Sequence, residues 1–189
     1  MDLLETQRLI LRELRQSDAD RICHYANDEA VNRYLAFDDL GSEEGARKYV
    51  KKAMASAATD IGVERRLSYK LAILLKPDND FIGSCWLDIT DTTHSRASIG
   101  YFIDNLHWGR GYATEAVEAL LNYGFATLKL HRIEATCDAD HLATRRVLEK
   151  AGLKREARLR QNRPRQNLQS QPIWSDSCLY AIIEGQAKH

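Results

Sequence analysis

A chain of 189 residues is long enough to form one domain with its own hydrophobic core, and we expect residues 1–189 to be that single domain. The hydrophobic fraction of 44% excludes a disordered chain, and equal counts of 27 basic and 27 acidic residues argue against general nucleic-acid binding. No apolar run is long enough to span a bilayer, so we expect no membrane insertion.

The N-terminal residues and the cysteines bear on the compartment. Residues 1–5 have neither the basic flank nor the apolar core of a signal peptide. The cysteines are scattered and form no CxxC pair, so we expect neither a disulfide framework nor a metal site among Cys23, Cys85, Cys137 and Cys178. These features predict a cytoplasmic protein.

The first third of the chain predicts one strand and two helices. Apolar residues indicate a strand over residues 8–14. Ser17 is expected to cap the first helix, because a serine hydroxyl accepts hydrogen bonds from first-turn N–H groups. Ser42 is expected to begin a second helix that runs to about residue 58.

An antiparallel meander of three strands is predicted next. Residues 67–75 form a β-like run, which a turn at residues 76–80 ends. Residues 81–89 are its expected hairpin partner, and residues 96–103 follow after a second turn.

Helices and strands alternate in the second half. The clearest helix has apolar residues at the spacing of one buried face: Ala113, Ala116, Val117, Leu120, Leu121, Gly124, Phe125 and Leu128. A strand at 133–137 and a helix at 142–151 follow, with Gly152 where a left-handed cap belongs. Two final strands, at 153–159 and 174–183, complete an α+β, or mixed α/β, domain.

The most informative stretch is residues 106–115, which lie between a predicted strand and the clearest helix. Gly109 and Gly111 permit close backbone approach, and the first N–H groups of a helix favour an anion such as a pyrophosphate. Arg110 could add charge. The chain has no P-loop motif, and Thr114 stands where a dinucleotide-binding fingerprint requires glycine. A plain glycine-containing turn remains an alternative explanation.

Several segments together resemble the GNAT acyltransferase superfamily. The sequence WGRGYA at 108–113 resembles its acetyl-coenzyme A (acetyl-CoA) pyrophosphate loop. TQRLILR at 6–12 resembles the opening strand of its ribosomal-protein N-acetyltransferase, or Rim-type, branch, and FIG at 81–83 and IGYF at 99–102 resemble two further strands. LEKAGL at 148–153 resembles the end of its cofactor-side helix. The resemblance implies a GNAT-like fold, with a central, mostly antiparallel sheet that splays between its fourth and fifth strands and is flanked by helices.

The resemblance also implies where acetyl-CoA binds. The pantetheine arm is expected between residues 98–104 and 133–138, and the pyrophosphate on backbone N–H groups of residues 109–114. An N–H donor near residues 102 and 103 would polarise the thioester carbonyl, where negative charge grows during transfer. The implied cofactor-binding residues are Phe102, Ile103, Trp108, Gly109, Arg110, Gly111, Tyr112, Ala113, Thr114 and His141.

Two departures from the family affect the expected chemistry of the leaving group. His141 and Thr144 stand where the family usually has Asn and Ser, so His141 is expected to contact the pantetheine. Leu148 stands where many members have a tyrosine general acid. Thr144 is therefore the candidate catalytic residue that donates to the departing thiolate, although it could instead only cap or pack its helix.

The resemblance does not assign a general base, because Ser98 replaces a glutamate that is frequent in the family. The candidates are Glu134, Asp88 and His141, and Glu134 comes first because its strand borders the expected gap. A solvated strand carboxylate would look the same in sequence. Cys137 lies on the same strand and is a possible nucleophile, but a buried cysteine that acts as a small hydrophobe is the simpler interpretation.

Three functions remain open at this point. The first is acetyl transfer from acetyl-CoA to a protein N-terminal amine, as the Rim-type resemblance implies. The second is transfer to a small amine, such as a polyamine, an amino acid or an antibiotic, and the third is a non-catalytic regulator that binds acyl-CoA.

The basic segment 154–165 is either a solvated strand edge or a contact for an acidic partner or ribosomal RNA. We expect a monomer or a homodimer.

Overall fold

The computed structural model describes residues 2–34, 40–58, 66–165 and 173–186. The described elements are, in chain order, β1 (Asp2–Glu5), β2 (Leu9–Glu13), α1 (Ala19–Ala26), α2 (Glu29–Asn32), α3 (Glu43–Ala58), β3 (Ser68–Leu75), β4 (Asp80–Asp91), β5 (Arg96–Ile103), α4 (Tyr112–Ala126), β6 (Arg132–Asp138), α5 (Leu142–Lys150), β7 (Lys154–Arg165) and β8 (Ile173–Ile183). Strand β1 and the short helix α2 were not predicted, whereas every other element overlaps a predicted segment.

The strands form one sheet in the order β1-β2-β3-β4-β5-β6-β8-β7. Neighbouring strands are antiparallel throughout, except that β5 and β6 are parallel. The prediction of a central, mostly antiparallel sheet is therefore confirmed. Strand β8 lies between β6 and β7, so the last strand in sequence is an inner strand of the sheet and β7 forms its edge.

Helix α4 covers one face of the sheet with its continuous apolar stripe. Ala116, Val117 and Leu120 are completely buried, in the same cluster as Leu71 of β3 and Leu87 of β4. A fully buried leucine side chain stabilises a fold by roughly 1.5–3 kcal/mol relative to an exposed one. The helix after the glycine loop is therefore firmly anchored to strands from the first half of the chain.

Helices α1 and α3 cover the opposite face. Ile22 of α1 and Val50 of α3 are completely buried, in a second cluster with Leu74, Phe81 and Phe102 from the sheet. The sheet is thus flanked by helices on both faces, as predicted, and alternate residues of β5 contribute to the two clusters.

Strands β5 and β6 separate after a short region of pairing. They are joined over three residue pairs, from Arg96–Arg132 to Ser98–Glu134. Beyond Ser98, β5 continues along β4 and β6 continues along β8, so each strand keeps its outer partner while the inner edges diverge. These are the fourth and fifth strands of the predicted set, and the predicted splay between them is confirmed.

The predicted helix boundaries are confirmed at two positions and wrong at one. The Ser42 hydroxyl accepts from the Gly45 N–H at 2.9 Å, and Gly152 adopts a φ of +97° after α5. The prediction for Ser17 is wrong, because it lies exposed in a short 3-10 turn. The Asp18 carboxylate performs the local bonding instead, with the Arg15 N–H at 2.7 Å.

In the ranges that the structure describes, no helix combines the length and apolar character needed to cross a membrane.

The first prediction is that neither half of the chain folds without the other, because strands from both halves form one sheet. A cut between residues 106 and 107 separates β5 from β6 and removes α4 from the strands that bury its apolar face. We expect neither fragment 1–106 nor fragment 107–189 to show a cooperative thermal transition by circular dichroism, whereas the whole chain does. A cooperative melt from either isolated fragment would contradict a single domain spanning the chain.

Candidate functional site

A cavity of about 480 Å³ lies where β5 and β6 diverge. Its walls come from the ends of both strands, the loop before α4, and one side of α5. All the residues predicted to bind the cofactor line it except Arg110: Phe102, Ile103, Trp108, Gly109, Gly111, Tyr112, Ala113, Thr114 and His141. The structure therefore brings together residues that are up to 39 positions apart in the chain.

The loop at the mouth of α4 has the backbone geometry of an anion site. Gly109 and Gly111 have φ values of +75° and +83°, a region that side chains disfavour. Gly111 is the N-cap of α4, and the first intrahelical bond is donated by the Glu115 N–H to its carbonyl. The N–H groups of Tyr112, Ala113 and Thr114 have no acceptor within the helix, and the helix dipole adds partial positive charge. A pyrophosphate fits this donor set.

Trp108 attaches the loop to the end of β5. Its indole Nε1 donates to the Ile103 carbonyl at 2.7 Å. The sequence resemblance placed Trp108 in the cofactor loop without giving it a partner. The structure assigns it a definite contact, which holds the end of the gap next to the glycine loop.

Arg8 and Glu115 form a second attachment, which the sequence does not predict. The Glu115 carboxylate accepts from the Arg8 N–H at 2.9 Å and from Arg8 Nε at 2.7 Å, and the Thr6 hydroxyl donates to it at 2.7 Å. Arg8 Nη1 also donates to the Arg110 carbonyl at 2.9 Å. Burial raises the pKa of Glu115, but the hydrogen bonds from Thr6 and Arg8 outweigh it and lower that pKa overall. The start of β2 thus holds the glycine loop from outside the cavity.

A cluster of polar side chains lies on the α5 side of the cavity. The Tyr101 hydroxyl donates to Thr144 Oγ1 at 3.3 Å, and Thr144 Oγ1 lies 3.0 Å from His141 Nδ1. The His141 ring stacks on Tyr34, with centroids 3.8 Å apart and 7° between the planes. Burial is the main reason that the pKa of His141 falls to about 4, so its ring is neutral at pH 7.

The structure does not bring Glu134 into the cavity. Its carboxylate accepts from Arg132 Nε at 2.7 Å and also from Arg96, on the surface beside the paired part of β5 and β6. Burial raises its pKa, but the hydrogen bonds from these two guanidinium groups lower it overall. A carboxylate held in this way is a poor proton acceptor, so this geometry does not support Glu134 as the base.

The other two candidate bases also have defined partners. Asp88 accepts from the Ser68 hydroxyl and lies 3.6 Å from Lys70 Nζ, and it is not among the residues that line the cavity. His141 does line the cavity, but its lowered pKa makes it a weak base.

The described cavity lining contains little negative charge. Asp138 is its one acidic residue, and the Asp138 oxygens already accept from the Asp140 N–H and the Ser175 hydroxyl, each at 2.9 Å. Arg146, Lys150 and Arg163 supply positive charge to the same lining. This balance suits an anionic ligand such as a nucleotide phosphate better than a polycation.

Cys137 is the cysteine that lies in the lining of the cavity. Burial raises the pKa of its thiol to about 12, so it stays protonated. In the described part of the chain, no group of three or more His, Cys, Asp or Glu side chains could hold a metal ion.

The basic segment forms the edge strand β7, where two of its arginines have defined partners. Arg158 pairs with Asp176 at 2.8 Å, and Arg163 donates to the Tyr34 carbonyl at 2.8 Å. Lys154, Arg155 and Arg160 are exposed. Arg163 thereby connects β7 to the backbone of Tyr34, whose ring stacks on His141.

Comparisons with known proteins point to one family. The sequence matches the family described as "Acetyltransferase (GNAT) domain" over residues 8–154. It is 33% identical over 160 residues to "Uncharacterized N-acetyltransferase p20" of Bacillus licheniformis, with 85% of this chain and 86% of that protein covered. It is 27% identical over 120 residues to "Ribosomal-protein-serine acetyltransferase" of Escherichia coli K12, with 64% of this chain and 63% of that protein covered.

A solved structure agrees with the sequence comparisons. A GNAT-family acetyltransferase from Bacillus anthracis superposes with a TM-score of 0.80 at 29% identity, and the match covers 96% of this chain and 98% of the other. The similarity therefore extends over the sheet, the gap and both sets of helices.

The second prediction tests the glycine loop. Gly111→Val places a branched side chain at a φ of +83°, a conformation that side chains rarely adopt, at the position where the backbone faces the cavity. We expect the affinity for acetyl-CoA, measured by titration calorimetry, to fall at least about 100-fold because the diphosphate loses close backbone approach.

Gly185→Val is the matched control for this substitution. Gly185 has a similar φ of +81°, and a Cβ there would meet nothing within 4 Å. The control carries the same backbone strain away from the cavity, so its affinity should stay near that of the unmodified chain. Equal affinities in both variants would show that the loop does not bind the diphosphate.

Proposed function

The chain belongs to the GNAT acetyltransferase family and is an acetyl-CoA-dependent N-acetyltransferase, and we propose that its acceptor is the N-terminal amine of a protein. The observation that carries the acetyl-CoA-dependent part of this function is the cavity between β5 and β6, which joins the Gly111-capped start of α4 to the gap lined by residues of β5, β6 and α5. An elongated ligand with a diphosphate at one end and a thioester at the other matches a cavity that runs from the start of α4 into the gap.

The binding of acetyl-CoA follows the order of groups along the cavity. The diphosphate would accept from the N–H groups at the start of α4, which are held by Arg8 and Trp108 from two sides. The pantetheine arm would lie in the gap beside Phe102 and Ile103. The thioester would then reach Thr144 on α5, on the side of the gap opposite β5.

The transfer step requires one bond to form and one to break. The neutral amine nitrogen attacks the thioester carbonyl carbon, and the carbon–sulfur bond breaks with its electron pair on sulfur. A backbone N–H near Phe102 or Ile103 would stabilise the negative charge on the carbonyl oxygen. The Thr144 hydroxyl would donate a hydrogen bond to the sulfur as it leaves. The proton that the nitrogen loses ends on the thiolate, directly or through water.

The described lining favours a singly charged acceptor over a polyamine. A polycation needs several carboxylates, whereas Asp138 is the one acidic residue of this lining and is already bonded. Trp86 and Tyr34 provide an aromatic, uncharged surface instead. The similarity to the E. coli ribosomal-protein-serine acetyltransferase supports a protein N-terminus as that acceptor.

The third prediction is a test of acceptor class. Thiol release from acetyl-CoA is measured with a panel of peptides that begin with different residues, together with polyamines and free amino acids. We expect turnover with peptides, and none after their N-terminal amine is blocked.

The outcomes of this panel separate the open functions. Turnover with small amines but not with peptides would contradict the protein acceptor and favour a small-molecule acceptor. Tight acetyl-CoA binding without turnover on any amine would favour the non-catalytic regulator.

The fourth prediction concerns Thr144. Thr144→Val keeps the shape of the side chain and removes the hydroxyl, so the leaving thiolate loses a hydrogen bond. We expect kcat to fall by about 100-fold, the scale of removing one hydrogen bond to a developing negative charge, with little change in acetyl-CoA affinity. The thermal midpoint is measured on the same preparation. A normal kcat with a lowered midpoint would restrict Thr144 to a structural role.

A further inference from the structure

Tyr101 is the polar side chain of β5 that reaches across the gap to α5. It lies half-buried in the lining of the cavity, and its hydroxyl donates to Thr144 Oγ1 at 3.3 Å. Burial raises the pKa of the phenol above its ordinary value, so the hydroxyl remains a hydrogen-bond donor at neutral pH. This contact connects β5 to α5, which lie on opposite sides of the gap.

Thr144 Oγ1 has a second neighbour in His141. The Nδ1 atom lies 3.0 Å away, and the ring is neutral and held in place by its stack on Tyr34. A neutral imidazole carries one ring hydrogen, on either Nδ1 or Nε2. A hydrogen on Nδ1 would make His141 a donor to Thr144, whereas a hydrogen on Nε2 would make it an acceptor.

The two tautomers leave Thr144 with different capacities. A threonine hydroxyl has one hydrogen and two lone pairs. If Tyr101 and His141 both donate to Oγ1, both lone pairs are occupied and the hydroxyl hydrogen is free for the cavity. If His141 accepts, that hydrogen is already used, and Thr144 has nothing to donate to a ligand.

We propose that Tyr101 is a positioning residue for acetyl transfer, which together with the Nδ1–H of His141 directs the Thr144 hydroxyl hydrogen toward the departing sulfur. The proposal rests on the role of Thr144 in the proposed function. Tyr101 and Thr144 both keep their protons throughout. The electron pair of the breaking carbon–sulfur bond goes to sulfur, and the proton from the amine nitrogen neutralises it.

The two hydrogen bonds from Tyr101 and His141 strengthen the Thr144 hydroxyl as a donor as well as orienting it. Hydrogen bonds in a chain polarise one another, so a hydroxyl that accepts two becomes a better donor to an anion. Leu148 lies one turn after Thr144, is buried and offers apolar surface only. The phenol that supports the leaving group therefore comes from β5 and acts through Thr144.

A double-mutant cycle of Tyr101→Phe and Thr144→Val tests the coupling. We expect Tyr101→Phe to lower kcat by about tenfold, the effect of one hydrogen bond, with the KM for acetyl-CoA nearly unchanged. In the Thr144→Val background the same change should have no further effect, because its action passes through the missing hydroxyl. An undiminished loss in that background, or a normal kcat for Tyr101→Phe alone, would overturn the proposal.

Tyr25→Phe is the matched control. Tyr25 is buried and donates to the Phe81 carbonyl at 2.8 Å, outside the described lining of the cavity. Loss of the Tyr25 hydroxyl should lower the thermal midpoint and leave kcat per folded molecule unchanged. A similar fall of kcat in Tyr25→Phe would mean that any lost buried hydroxyl slows the enzyme, and the proposal would fail.

A second measurement separates this proposal from the choice of acceptor. The thiol pKa of coenzyme A bound to the protein is read from the ultraviolet absorbance of the thiolate, with no amine present. We expect the unmodified chain to lower this pKa, and both Tyr101→Phe and Thr144→Val to return it toward the value in solution. An unshifted pKa in the unmodified chain would overturn the proposal, whereas failure of every peptide acceptor would overturn only the proposed function.

Discussion

The short pairing between β5 and β6 is the constraint on which the site depends. Three residue pairs join the strands, and beyond Ser98 each strand keeps only its outer neighbour. The inner edges therefore present backbone groups to a cavity rather than to each other. A ligand that lies in the gap can form the hydrogen bonds that the sheet leaves unmade, and the same opening allows a side chain from β5 to meet one from α5.

The second requirement is a rigid terminus for α4. The loop has two residues at positive φ, and such a loop could adopt many conformations in isolation. Trp108 attaches it to β5, the Arg8–Glu115 pair attaches it to β2, and the buried stripe of α4 fixes the helix behind it. The N–H groups are thereby organised before any anion arrives, which reduces the ordering cost of binding.

The sequence predicted those parts of the site that depend on local backbone chemistry. Gly109 and Gly111 before an apolar helix indicated an anion site, and the family resemblance added the gap and its position. The sequence did not predict the contacts of Tyr101 and Arg8, because their partners Thr144 and Glu115 lie 43 and 107 residues away. The strand position of Glu134 favours it as a base, but strand position alone does not show that Arg96 and Arg132 bind its carboxylate. Ser17 was a reasonable cap by residue type, yet the adjacent Asp18 forms the stronger, charged contacts with Arg12.

Amide hydrogen exchange in the presence and absence of acetyl-CoA tests the central claim most directly, because it reports where the ligand meets the backbone. The account predicts slower exchange at Phe102 and Ile103 and at residues 109–114, with no change in the outer helix α3. Protection confined to other elements, or no protection along the edges of the gap at saturating acetyl-CoA, would contradict the assignment of the β5–β6 gap as the site of acetyl transfer.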